Sequence, residues 1–288
     1  MNNTFQRLGR FLSEIRAPYF AAIALPIVLG TVIAWATEQR FNLSIFVLSL
    51  LAGIFLQAGA NMTNDFFDQQ IDEDPLQQRW AIIPPEQVLQ GAFGFLVVGA
   101  MVGLYVALAT GPLTVALGII GIASGALYSA PPFRLSGTGI GELLAGTNLG
   151  LLTTVGAYYV QTLQVTPLVF WAATPVALLM AAALVLNGFS ATKLQRGRSL
   201  WSRMGRQRGA TAYAVPALSA YATLIVGVVL GHLPQESLLG LLGLPLAAGA
   251  VVGAQIDRFS FASASALAAH LGTTALLVIA FLLYAGLH

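Results

Sequence analysis

Residues 42–72 read NLSIFVLSLLAGIFLQAGANMTNDFFDQQID. From Asn42 to about Ala60 the run is long and apolar enough to cross a bilayer as a helix, which takes about 20 residues. Its final turns then become polar. Asn61, Asn64, Asp65, Asp68 and Asp72 bring two carboxamides and three carboxylates to the end of a membrane span. At about 100° per helical residue, Asn61, Asp65, Asp68 and Asp72 share one stripe, with Asn64 to one side. Carboxylates beside hydrocarbon are costly unless they face a cavity, a cation or one another. Pro75 marks where this helix is expected to have ended.

The rest of the chain supports a membrane reading. Of 288 residues, 57% are hydrophobic and 8% charged, against about 25% charged in a soluble domain. Mean hydropathy is +0.79. The absence of cysteine excludes disulfides, thiolate nucleophiles and Cys-ligated metals. A net charge of +2 gives no electrostatic reason to bind nucleic acid. Residues 1–16 are polar and Arg-bearing, without the apolar core of a cleaved signal peptide. They are read as an interfacial segment before a single transmembrane domain over residues 17–288.

Charges punctuate nine expected spans. These are Ala17–Thr37, Asn42–Asp65, two within Gln87–Phe133 turned at Gly111-Pro112, and two within Leu143–Thr192 turned near Gln161–Pro167. Gly209–Gln235, Ser237–Ile256 and Phe259–His288 complete the set. The fold class is therefore all-α, a polytopic membrane bundle. Of 13 Lys and Arg residues, only Arg40 falls on the opposite side in this arrangement. Basic residues mark the cytoplasmic face, so the acidic stripe is expected there too, in a multi-pass protein of the cell membrane. The second span ends in Asn61…Asn64-Asp65 and the sixth in Asn187…Lys193, a weak echo between two halves.

Asp residues at i, i+3 and i+7 are hard oxygen donors suited to Mg²⁺, which typically bridges one or two carboxylates to substrate phosphates. Cations on the same face would hold the remaining phosphate charge. A lipid diphosphate has a reason to meet its enzyme in a membrane, its tail among apolar helices and its head at the polar mouth. Two other readings of the stripe are a solvated acidic helix end and an ion path through the bundle. Charge beyond the stripe's own face is limited to Glu38, Arg40 and Glu236, which offers little for an ion path.

The pattern Asn61-x-x-Asn64-Asp65-x-x-Asp68-x-x-x-Asp72 resembles the first aspartate-rich motif of the UbiA superfamily of intramembrane prenyltransferases. Leu127-Tyr-Ser-Ala-Pro-Pro-Phe-Arg134-Leu135, followed by Gly139-Ile-Gly-Glu142, is similar to that family's loop after helix four. Gly156-Ala-Tyr158-Tyr159-Val-Gln-Thr162 resembles the fifth helix of its naphthoate-type members. The resemblance implies nine helices around a central cavity and Mg²⁺-dependent transfer of a polyprenyl group from its diphosphate to an aromatic acceptor, 1,4-dihydroxy-2-naphthoate in quinone biosynthesis. It implies Asp65, Asp68 and Asp72 as metal ligands, with Asp65 and Asp68 catalytic. Asn61, Asn64, Arg134 and Asn187 would contact the substrate. Tyr128 and Tyr158 would turn π faces toward developing cationic charge. Glu142 is read either as a helix cap or as an acceptor contact.

The family's second acidic motif is degenerate. Its two aspartate positions fall on Ala191 and Gln195, and Lys193, Arg196 and Arg198 stand in that region instead. Lys193 and Arg198 are read as diphosphate contacts, with a membrane-anchoring role as the other reading. The loss of two acids leaves open a relative that binds prenyl lipid without turning it over.

Overall fold

A computed structural model describes residues 20–69, 84–189, 200–205 and 208–287, with only the backbone given for Asp68, Gln69 and Ser202. Among these residues nine helices are long and apolar enough to span a membrane, and there is no strand. They are α1 (Ala21–Glu38), α2 (Leu43–Gln69), α3 (Pro85–Thr110), α4 (Pro112–Ser129) and α5 (Ile140–Thr162), then α6 (Pro167–Gly188), α7 (Gly209–Val229), α8 (Gln235–Gln255) and α9 (Phe259–Leu287). A short helix, Leu200–Met204, lies between α6 and α7.

The helix ends follow local chemistry. Gly111, at φ 105°, ends α3, and Pro112 opens α4 at its first position, where a missing N–H costs nothing. α4 stops at Ser129, not at Phe133 as its apolar run suggests. Ala130 is extended before Pro131, and a residue preceding proline avoids the helical region. α7 ends at Val229 and not near Gln235. Gly231 takes φ 73°, and the N–H groups of His232 and Leu233 both donate to Gly227 O. α8 then begins as a 3₁₀ turn at Gln235.

Contacts at both ends fix an alternating topology. On one face Gln161 Oε1 accepts from Asn42 N at 2.6 Å, and the Tyr159 hydroxyl donates to Thr110 O at 3.2 Å. On the other, Phe189 at the end of α6 stacks on Phe259 at the start of α9, centroids 5.8 Å apart. That second face carries Asp65, Arg134, Arg203, Arg208 and Arg258, and Arg40 lies on the first.

α6 is the buried axis of the bundle, with 67% of its span buried, whereas α4 has 11%. Leu179, Ala182 and Leu186 of α6 join Leu29 and Ile33 of α1 and Leu277 of α9 in one large core. Close approach there requires small residues. A Cβ on Gly150 of α5 would run into the backbone of Ala177 on α6. α2, α3 and α4 instead present apolar side chains outward, Phe93, Met101, Leu108 and Ile119 among them, as a lipid-facing wall does.

Candidate active site

Between that wall and the core lies a cavity of about 480 Å³. Its lining among the described residues comes from α1 to α5 and is overwhelmingly apolar: Ile23, Ile27, Leu56, Leu96, Leu117 and Leu152 are typical. The cavity runs to Ala60 and Thr63 on α2 and to Ala126 and Ala130 at the end of α4. Thr63 adjoins Asn64, and Ala130 adjoins Ser129. The apolar space therefore reaches the level of the polar end of α2.

The last turns of α2 place Asn61, Asn64 and Asp65 together. Asn61 and Asn64 are buried at 8% and 9% exposure, and Asp65 is half-buried. Buried carboxamides need partners. Asn61 Oδ1 accepts from Gln57 Nε2 at 2.9 Å, and Asn64 Oδ1 accepts from Ser129 Oγ at 3.4 Å. The second bond joins the acidic stripe to the end of α4, residues distant in sequence. Ser129 was not singled out from the sequence, although it lies inside the Tyr-Ser-Ala-Pro-Pro stretch that drew attention to this loop.

The chain after Ser129 turns back on α4. Arg134 N donates to Ala130 O, Leu135 N to Leu127 O and Ser136 N to Tyr128 O, each at 3.0 Å. Arg134 itself sits at φ 38° and is half-buried. The fold thus holds Arg134 on the same end of the bundle as Asp65. Tyr128 is half-buried on the last turn of α4, between cavity-lining Ala126 and Ala130.

Glu142 resolves as a cap. It is 2% exposed. Its Oε1 accepts from Gly137 N at 2.9 Å and Trp201 Nε1 at 3.3 Å, and its Oε2 from Gly139 N at 2.8 Å. Leu200 N also donates to Gly137 O at 2.8 Å. One buried carboxylate therefore ties the Arg134 loop to the short helix that follows the degenerate motif. Trp201 carried no functional signal in the sequence. Glu142→Gln puts an amide N–H₂ among N–H donors and is expected to cost about 1–3 kcal/mol. Thermal unfolding in detergent measures this, and an unchanged transition contradicts the clamp.

Tyr158 is not at the site. It is fully buried in the α1–α5–α6 core, and its hydroxyl donates to Glu38 Oε1 at 3.3 Å, on the face opposite Asp65. Gly156, Ala157 and Val160 line the cavity in its place. A tyrosine pair on a helix offers two faces, and only the packing against α1 decides between them. Asn187 lies half-buried in the last turn of α6, on Asp65's face, and no hydrogen bond among the described residues joins it to α2. The side chain of Asp68, together with Asp72, Lys193 and Arg198, lies outside the described residues, as do Ala191, Gln195 and Arg196.

Among the described residues, nine membrane-length helices form a bundle with an apolar cavity that runs to the end of α2 where the Asn/Asp cluster lies. The chain belongs to the UbiA prenyltransferase family, whose model matches residues 23–269. It is 26% identical over 248 residues to the 2-carboxy-1,4-naphthoquinone phytyltransferase of Synechocystis sp., covering 82% of this chain and 80% of that one. It is 23% identical over 235 residues to the 1,4-dihydroxy-2-naphthoate octaprenyltransferase of Bacillus subtilis, covering 78% and 75%. In fold it is similar to a UbiA homologue from Archaeoglobus fulgidus solved with GPP and Mg²⁺, with a TM-score of 0.62 at 16% identity, covering 96% of this chain and 99% of that one.

Proposed function

We propose that this protein transfers a polyprenyl group from its diphosphate to 1,4-dihydroxy-2-naphthoate, with Mg²⁺ at the stripe of α2. The observation that carries the reading is an apolar cavity that runs to the end of α2 on which Asn61, Asn64 and Asp65 lie. A tail fits the first, a charged head the second. The donor set fits the metal, since carboxylate and carboxamide oxygens are the ligands a hard cation takes. Bound there by Asp65, with Asp68 and Asp72 as further ligands, Mg²⁺ would supply charge neutralisation for the leaving diphosphate.

The chain's own residues do the rest. Asn61 and Asn64, held by Gln57 and Ser129, orient the head group. Arg134, on its turned loop, takes phosphate charge, and Asn187, Lys193 and Arg198 are assigned to the facing side of the same head. Tyr128 offers its ring near the reacting end. The apolar wall excludes water, so the electron pair of the breaking C–O bond leaves with the diphosphate. The prenyl carbon then forms its new C–C bond to the acceptor ring and not to water, and the ring regains aromaticity by releasing the group it displaces at that carbon, H⁺ to solvent or the carboxylate as CO₂. The mouth is assigned to the cytoplasmic side, because Arg134, Arg203, Arg208 and Arg258 share it. A second reading, a prenyl-diphosphate binder without turnover, rests on Ala191 and Gln195. Purified protein given a labelled prenyl diphosphate, the naphthoate and Mg²⁺ is expected to form prenylated product, and a chelator to abolish it. Product formed equally in chelator contradicts the metal assignment.

A further inference from the structure

The cavity wall holds two carboxamides with hydrogen-bonding capacity left over: Asn148, which the diphosphate site does not use, and Gln57, which that site uses only through its amide nitrogen. Gln57 lies on α2 and Asn148 on α5, and both line the cavity. Asn148 sits in a π-helical turn, Thr147–Leu152, set inside α5. Such turns are rare and frequently mark functional positions. This one is pinned by Thr153 Oγ1, which donates to Asn148 O at 2.9 Å. The turn also has a packing neighbour on its other side, where Gly150 meets α6.

Each carboxamide is held by one bond and keeps further capacity. Asn148 Nδ2 donates to Gly121 O on α4 at 3.3 Å, and Gln57 Nε2 donates to Asn61 Oδ1 at 2.9 Å. Neither side-chain oxygen accepts a hydrogen bond from any described residue, and each amide nitrogen has a second hydrogen. A polar atom left unmatched in an apolar cavity is costly. A hydrocarbon tail cannot repay that cost, whereas a hydroxyl group, donor and acceptor at once, can.

Their depth suits a ring placed beneath the head group. Gln57 precedes Asn64 by seven residues, about 10 Å along α2, and Gly121 precedes Ser129 by eight, about 12 Å along α4. The two carboxamides therefore lie at one level, well inside the mouth. A fused aromatic ring, stacked against the prenyl carbon at a reacting contact of about 3–3.5 Å, spans that interval. We infer that Gln57 and Asn148 form the acceptor subsite, hydrogen-bonding a ring hydroxyl of the aromatic co-substrate. The inference rests on the prenyl-transfer reading and adds where the acceptor is recognised.

The test is steady-state kinetics on Gln57→Leu and Asn148→Leu, varying each substrate in turn. The Michaelis constant for the dihydroxynaphthoate is expected to rise about tenfold in each; that for the prenyl diphosphate stays within about twofold in Asn148→Leu and rises as well in Gln57→Leu, which also removes the bond to Asn61. The two mono-O-methyl ethers of the acceptor supply the chemical control. With one of them the wild type loses the same factor, and the variants lose nothing further. A thermal unfolding transition in detergent close to that of the wild type reports folding, and Asn148→Ser or Gln57→Met replaces the corresponding variant if it fails. An unmoved acceptor constant, equal rises for both substrates in Asn148→Leu, or a full variant loss with both ethers overturns the subsite. A wild type that transfers to no naphthoate acceptor overturns the prenyl-transfer reading itself, an outcome visible before any variant is made.

Discussion

Asp65→Asn is expected to lower turnover per unit substrate by at least about 100-fold. The substitution keeps the shape and removes the one charged side chain in the described part of the α2 stripe. Its neighbours Asn61 and Asn64 are neutral and already engaged with Gln57 and Ser129. They orient, but they carry no charge with which to hold a cation. Removing one charged or oriented group at a site where charge develops commonly costs two to three decades. The loss should appear in kcat and in kcat/KM alike, because the interaction grows as the leaving group forms. Product formation by wild type and variant in nanodiscs measures it. A variant within about threefold of wild type would remove Asp65 from the metal site.

The second large effect concerns the cavity wall. Gly118 and Gly125 of α4 line the cavity, and a Cβ on either meets nothing within 4 Å. The Cβ of a leucine at either position therefore meets no neighbour, and the rest of the side chain takes space from the tail. Gly125 lies four residues before Ser129, about 6 Å deep, and Gly118 lies eleven before it, about 16 Å deep. Gly125→Leu obstructs the reacting end and is expected to depress kcat/KM for every prenyl diphosphate. Gly118→Leu meets only a chain of several isoprene units. It should reduce kcat/KM about 10–100-fold for a long donor, the range that small volume changes in a hydrophobic pocket command, and spare geranyl diphosphate. Rates across a donor length series decide it, and equal losses at all lengths for Gly118→Leu would place the tail elsewhere.

The bundle was readable from the sequence because charged residues bound each apolar run and because the basic residues agree on one face. The site was readable as far as a single helix could show it. Asn61, Asn64 and Asp65 share the end of α2 by helical periodicity alone, and the cavity runs along α2 as far as Ala60 and Thr63. What escaped was the pairing between helices. Ser129 reaches Asn64, and Trp201 reaches Glu142, across long stretches of chain that periodicity does not relate. Tyr158 was assigned to the cavity because aromatic residues suit a cationic reaction. Its burial against α1 and its bond to Glu38 show that packing had another use for it. The end of α4 was misplaced for a local reason, since hydropathy continues through Pro131 and helical backbone does not.

The central claim is turnover at a site whose second acidic motif has become Ala191 and Gln195. Release of inorganic diphosphate decides it most directly, followed in purified protein with geranylgeranyl diphosphate, 1,4-dihydroxy-2-naphthoate and Mg²⁺. The account predicts diphosphate released in step with prenylated naphthoate, through many turnovers, and both products slowed by at least about 100-fold in Asp65→Asn. Prenyl diphosphate bound at one per protein, with no diphosphate released over the same hours, would contradict it and leave a lipid-binding protein in its place.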